Sequence, residues 1–274
     1  MAKNELAIMD KFEITTGYED MDPELLEEIQ DEMDDLDEER GIACRKIKIP
    51  HGGIAFEVEG DDPDDAEPMK TVQGVIIFTH RMNSYWEKSP DEVDDDAGSK
   101  APDCSSFDAK TGVEFETEEI KNCDTCPLNQ FGAAGEGKPC KNIRRIYLLL
   151  SGRPVPYLLS IPPTSIRQVN KQLARIMSTT KMPYTRLVVE FKLEKTANKK
   201  GIVYSTVSVS LAGKLTPEQA SMTTAMRKEL KEKYKEVAIT DDDYNTGRSE
   251  SEEPAPAVDE NGFMDAPAEE LPFA

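Results

Sequence analysis

Four of the five cysteines lie in one stretch, Cys104 to Cys140, which reads CSSFDAKTGVEFETEEIKNCDTCPLNQFGAAGEGKPC. Their spacing is C-x18-C-x2-C-x13-C. A C-x2-C pair sets two thiolates on one tight turn, half of a tetrahedral four-cysteine site, and Cys104 and Cys140 supply the other half. The segment holds no histidine. An all-thiolate set of this kind is closed and structural, not catalytic. The stretch is rich in Gly, Asp, Lys and Asn and poor in apolar side chains, so ordering it calls for a crosslink. The preferred crosslink is a structural Zn2+, whose binding free energy becomes folding free energy. An iron–sulfur cluster on the same thiolates, or paired disulfides, are the alternatives.

The elements around this segment read mainly as strands. CRKIKIP, from Cys44, alternates; HGG makes a turn; IAFEVEG alternates again; DDPDDAEP is a loop; TVQGVIIFTHRMNSYW is a longer strand. After Cys140 come the strands KNIRRIYLLLSG and VPYLLSI, with Pro154 marking the turn between them. A helix follows at SIRQVNKQLARIMSTT, with Thr164 or Ser165 expected as its cap and Ile166, Val169, Leu173 and Ile176 at helical spacing. YTRLVVEFKLEK and IVYSTVSVSLAG are two more strands joined by a turn. Thr216-Pro217-Glu218 opens a last amphipathic helix. Three strands, a helix and two strands is the order of a five-stranded OB barrel, with the cysteine segment as an inserted loop. The expected class is therefore mainly β (α+β): an OB-like barrel with a four-cysteine zinc loop and one or two packed helices.

Charge divides the chain in three. Residues 1–100 carry 10 Lys/Arg against 29 Asp/Glu, residues 101–237 carry 22 against 14, and residues 238–274 carry 1 against 11, within a net charge of −21. A basic middle between acidic arms suggests a polyanion-binding core. The expected organisation is an acidic arm over 1–42, with a helix at 22–40 opened by Asp22 and Pro23; a core over 43–237, with the zinc insertion at about 101–142; and a disordered acidic tail over 238–274. No signal-type h-region opens the sequence, and no window nears the run of about 18 apolar residues that spans a bilayer. Cytoplasmic residence is expected, without membrane contact; the oligomeric state is left open.

Catalytic signatures are missing. There is no G-x-x-x-x-G-K-[ST] loop, G-x-S-x-G elbow or H-E-x-x-H, and GAAGEGK at 132–138 lies between cysteines instead of between a strand and a helix. His51 and His80, the two histidines, have no nucleophile or metal partner in their neighbourhood of the sequence. A binding protein is expected rather than an enzyme. Its candidate contacts are two basic clusters, Lys138, Lys141, Arg144 and Arg145, and Lys192, Lys195, Lys199 and Lys200. Tyr147, Tyr157, Tyr184, Phe191 and Tyr204 interleave with them as stacking candidates, extended by Tyr85, Trp86 and Phe131. Strand aromatics also build cores, so each ring carries that second reading.

The C-terminus, EELPFA, resembles the acidic tip of bacterial and phage single-stranded DNA-binding proteins, an acidic run followed by Pro-Phe. That resemblance implies that Glu269, Glu270, Pro272 and Phe273 dock replication or recombination proteins; Ala274 follows the Phe on which the family usually ends. KIPHGGIAFEVEGDDPDDAEP, VQGVIIFTHRMNSYW and CDTCPLNQFGAAGEGKPCKNIRRIYLLLSG resemble uncharacterised proteins of bacteriophages and integrative elements. Some phage single-stranded DNA-binding proteins also carry a structural zinc in the DNA-binding domain. The expected function is binding and protection of single-stranded DNA with little sequence preference, and recruitment of partners by the tail. The competing expectation is a phage-encoded interaction module or DNA mimic that turns its acidic arms on host proteins.

Overall fold

The computed structural model describes residues 7–9, 11–15, 44–50, 52–60, 65–87, 102–132, 137–197, 201, 203–235 and 239. The expected helix at 22–40, His51, Lys199, Lys200 and the tail with Glu269, Glu270, Pro272 and Phe273 lie outside them.

Among the described residues the chain is mainly β, with a mixed sheet of 11 strands and two α-helices. Before the cysteine segment come β1 (Lys46–Lys48), β2 (Phe56–Glu59), β3 (Ala66–Met69) and β4 (Thr71–Tyr85). Within it lie β5 (Cys104–Ser106), β6 (Thr111–Glu114) and β7 (Ile120–Asn122). After it come β8 (Lys141–Leu150), β9 (Tyr157–Ile161), α1 (Pro163–Thr180), β10 (Leu187–Ala197), β11 (Val203–Lys214) and α2 (Pro217–Lys233). The strand-like sequences correctly mark seven of these strands. The loop read at DDPDDAEP instead ends in β3, antiparallel to β2, with Pro68 opposite Glu57; a proline is accommodated there because β3 is an edge strand.

β4 is the spine. It pairs antiparallel with β8 along Gly74–Ser84 and with β10 along Thr71–Val75, and its last three residues carry β5. β8 continues into β9, and β9 pairs parallel with β1. β11 pairs with β10 alone among the described strands, so the sheet is open. Its far ends are nonetheless tied: the Ser205 hydroxyl on β11 lies 2.8 Å from the Pro50 carbonyl and 2.9 Å from that of Gly53. The inner face collects Val72, Ile76, Ile146, Leu148, Tyr157, Leu159, Phe191 and Val209, and Val169 and Leu173 of α1 close it.

The helix ends follow their local chemistry, with one correction. α1 is opened by Pro162 and Pro163, not capped by Thr164 or Ser165. Ser165 is buried, and its hydroxyl accepts from the Val207 amide at 2.9 Å, which pins the helix to β11. Lys181, at φ 55°, ends the helix ahead of Pro183. α2 has the expected cap: Thr216 and Gln219 form a reciprocal capping box.

α2 and residues 7–9 and 11–15 cover the outer face of β4 and β8. Phe12, Leu215 and Ala220 pack on Val75, Ile77, Leu149 and Val188. Farther along, Tyr234 and Phe107 close over Phe78, His80 and Tyr147, with the His80 ring 4.8 Å from Tyr234 and 6.0 Å from Tyr147 by centroid. Cys44 packs on this cluster, as expected of a thiol away from the other four. His80 is 9% exposed, and its Nδ1 faces the carbonyls of Phe107 at 2.9 Å and Arg81 at 3.1 Å. Nδ1 therefore carries the proton. Burial holds the ring neutral: it pushes the pKa down to about 4, outweighing the raising effect of those two carbonyls, and Arg145 and Arg144 lower it further.

A folded pKa below the unfolded one makes stability fall as pH drops from about 6.5 toward 4, because the unfolded chain takes up the proton first. His80→Phe should therefore remove roughly 3 kcal/mol of acid destabilisation across that window. Urea midpoints at several pH values check this; parallel curves for the two proteins would refute it.

Candidate nucleic-acid interface and cysteine cavity

The site is built where β4 and β8 run past the apolar inner layer. A β-bulge between Ile76 and Phe78 inserts one residue into β4. Before it, Ile76 faces inward and Val75 and Ile77 face out under α2. After it, Phe78 and His80 face out. The bulge thus shifts Thr79, Arg81 and Asn83 to the inner side, opposite Ile146, Arg144 and Asn142 of β8. The inner face changes there from aliphatic to cationic and amide.

Arg81, Asn83 and Asn142 floor an open groove of about 690 Å3. Arg81, Lys138, Lys141 and Arg167 supply its cations, and Asp124 its one carboxylate among the described lining residues. Pro163, Ile166 and Asn170, at the start of α1, form one wall. The cysteine segment forms the other with Asn129, Phe131 and Cys140. Phe131 is 79% exposed, and the Lys138 ammonium lies 4.9 Å from its ring centroid. A bare ring beside cations is the arrangement that stacks a base while holding its phosphates.

An amide network fixes the cysteine segment to the sheet. Asn142 Nδ2 donates to Asn83 Oδ1 at 2.8 Å and to Asn129 Oδ1 at 3.0 Å. Lys138 Nζ donates to Asn142 Oδ1 at 3.2 Å, and Asn129 Nδ2 to the Cys123 carbonyl at 2.8 Å. Asn142 therefore joins β4, β8 and the turn that carries the C-x2-C pair.

All four clustered cysteines line one small cavity of about 40 Å3 behind the groove. Cys104 sits on β5; Cys123 follows β7; Cys126 precedes the short 3-10 turn Pro127–Asn129; Cys140 precedes β8. They are thiols, not disulfides. Gly112 passes so close that a Cβ there would lie 3.3 Å from Cys104 Sγ and 3.4 Å from Cys123 Sγ. Burial, then the crowding of Cys123, Cys104 and Cys126, pushes the Cys140 thiol up to about 12; burial, then Cys123, raises Cys104. The donor chemistry is that of a soft-metal site. Among the described residues no group of three or more His, Cys, Asp or Glu is arranged to hold a metal.

The sequence-derived contacts divide. Lys138 and Lys141 reach the groove. Arg144 is half-buried on the inner side, where its guanidinium donates to Thr79 Oγ1 at 3.0 Å. Arg145 and Tyr147 are corrections: both are 0% exposed, because the outer face of β8 lies under Phe107, Leu230 and Tyr234 instead of solvent. Tyr157, also 0% exposed, is an inner-core ring whose hydroxyl accepts from Arg45 at 3.4 Å. Phe191 is core too. Lys192 and Lys195 are exposed on β10 and Tyr204 half-buried on β11, and none of the three lines the groove. Arg81, Asn83, Asn129, Asn142 and Asn170 were not singled out by the sequence. The available signal was polar residues interrupting two apolar strands, RMN in β4 and KN at the start of β8.

Comparison with protein-family models, curated proteins and solved structures finds no match.

Asn142→Leu keeps the branched shape but leaves buried Asn83 without its donor, at a cost of about 1–3 kcal/mol. The loss should be local: limited proteolysis should cut within 104–140 sooner while the remaining core stays resistant. Uniform protection of that segment in the variant would show that the network does not hold it.

Proposed function

We propose that the chain binds single-stranded DNA along the groove between α1 and the cysteine segment. The observation that carries this reading is the exposed Phe131 ring in a groove lined by four cations. Base stacking contributes about 1–3 kcal/mol per base without sequence preference, and each phosphate contact releases counterions. The groove is open at the surface rather than closed around a small molecule, which suits a polymer that enters from the side.

The connectivity supports the same reading. β4, β8, β9, α1, β10 and β11 run in the chain order of an OB barrel, with β10 returning to β4. In that scheme the cysteine segment is the loop between the first two barrel strands, one of the loops through which OB folds take oligonucleotides. The parallel partner of β9 is β1, which takes the place of a direct pairing with β11. On this reading the sheet is an OB-like scheme with one extra strand, left open by backbone pairing and tied across by Ser205.

Cys104, Cys123, Cys126 and Cys140 would hold a structural Zn2+, with contraction of the four thiols around it. The ion supplies folding free energy to a segment otherwise held by three short strands and an amide network. An iron–sulfur cluster would draw on the same thiols. The acidic tail, through Glu269, Glu270, Pro272 and Phe273, would recruit replication or recombination proteins, on its resemblance to the tips of single-stranded DNA-binding proteins.

Fluorescence anisotropy with labelled oligo-dT should show salt-sensitive binding that exceeds binding to duplex. Arg167→Glu with Lys141→Glu should weaken it by on the order of tenfold or more at low salt and flatten the salt slope by about 1.4, or 0.7 per lost phosphate contact. Wild-type protein that ignores the single strand would end this reading and favour an interaction module working through its acidic arms. Elemental analysis of purified protein should find one zinc per chain, and Cys126→Ser should lose it. Stoichiometric iron with visible absorption would point to the cluster instead, and metal-free, fully folded protein would exclude both.

A further inference from the structure

The groove does not end at its own rim. Arg81 stands opposite Arg144 across β4 and β8, and among the described residues neither is ion-paired with a carboxylate. Like charges directly opposite on neighbouring strands repel, and an anion bridging them would relieve that cost. Beyond Arg144 lies Tyr184, whose hydroxyl accepts from Arg227 of α2. The Arg227 guanidinium sits 5.0 Å from the Tyr184 ring centroid and 5.7 Å from that of Phe78. Arg227 in turn lines a second, shallower concavity of about 790 Å3 with Arg186, Lys228 and Lys231. No carboxylate is among its described lining residues.

Covering the sheet accounts for Arg227, which donates to the Ile77 carbonyl at 3.3 Å, but not for Lys228 and Lys231. α2 packs on the outer face through Ala220, Met226 and Leu230, and Thr223 donates to the Thr185 carbonyl at 2.7 Å. Lys228 and Lys231 lie on the exposed side, one turn apart. We propose that the two concavities are halves of one track, in which a single strand of nucleic acid runs from the Phe131 groove over Arg81 and Arg144 and onto the cationic side of α2. This rests on the single-stranded DNA reading of the groove and extends it: α2 becomes a second binding element, and the footprint becomes longer than the groove.

The test compares oligo-dT of about 6 and about 16 nucleotides, within the span covered by such folds, on full-length wild type and on Lys228→Glu/Lys231→Glu. Both lysines are exposed, and circular dichroism confirms that the variant is folded. The longer oligonucleotide should bind the variant on the order of tenfold or more weakly at low salt, with its salt slope reduced by about 1.4. The shorter one should bind both proteins alike. Equal loss on both lengths, the mark of a general charge effect, overturns the track, as does no loss on either. If wild type binds neither oligonucleotide, the groove reading fails first and takes the track with it.

Discussion

A single inserted residue in β4 sets the character of the whole inner face. Strict alternation along this strand would keep one set of side chains inside from Thr71 to Tyr85. The bulge between Ile76 and Phe78 breaks that parity. Below it the inner face is aliphatic and packs against α1; above it Arg81 and Asn83 take the inward positions. The same shift sends Phe78 and His80 outward, where they need a cover, and α2 with Tyr234 provides it. Core, groove and helix placement therefore depend on one another through one irregularity in the ladder.

This dependence explains what could be read from the sequence and what could not. Period-2 patterning located β1, β2, β4 and β8–β11, and capping chemistry located α2, because those signals are local. The bulge is set by tertiary pairing, so nothing in TVQGVIIFTHRMNSYW announces that two neighbouring residues will share a face. Arg145, Tyr147 and Tyr157 looked like contacts because charged and aromatic residues on a strand are usually weighed as if one face met solvent. β8 has both faces covered over its later residues, one by the inner core layer and one by α2, so its continuous apolar run, IYLLL, was the better guide.

The cysteine segment shows the converse. Its spacing gave the grouping of four thiols around one cavity, although they are separated by up to 18 residues. Its strands were not legible: β5, β6 and β7 are three or four residues long and polar. They are held by side-chain devices such as the Lys121–Glu114 pair at 2.9 Å and by the Asn142 amide, not by a hydrophobic face. Amides carry no periodic signature, so a network of three asparagines and one lysine is visible only once the strands are in register.

Asn83, Asn129 and Cys140 belong to two linings at once, that of the cysteine cavity and that of the groove. One wall therefore belongs to both concavities. Coupling between sites is reciprocal as a matter of thermodynamics. Whatever factor an occupant of the cavity adds to affinity in the groove, a strand lying in the groove must return to the cavity. If the proposed zinc tightens the groove on a strand, a chain engaged on that strand would release the metal more reluctantly than a chain at rest.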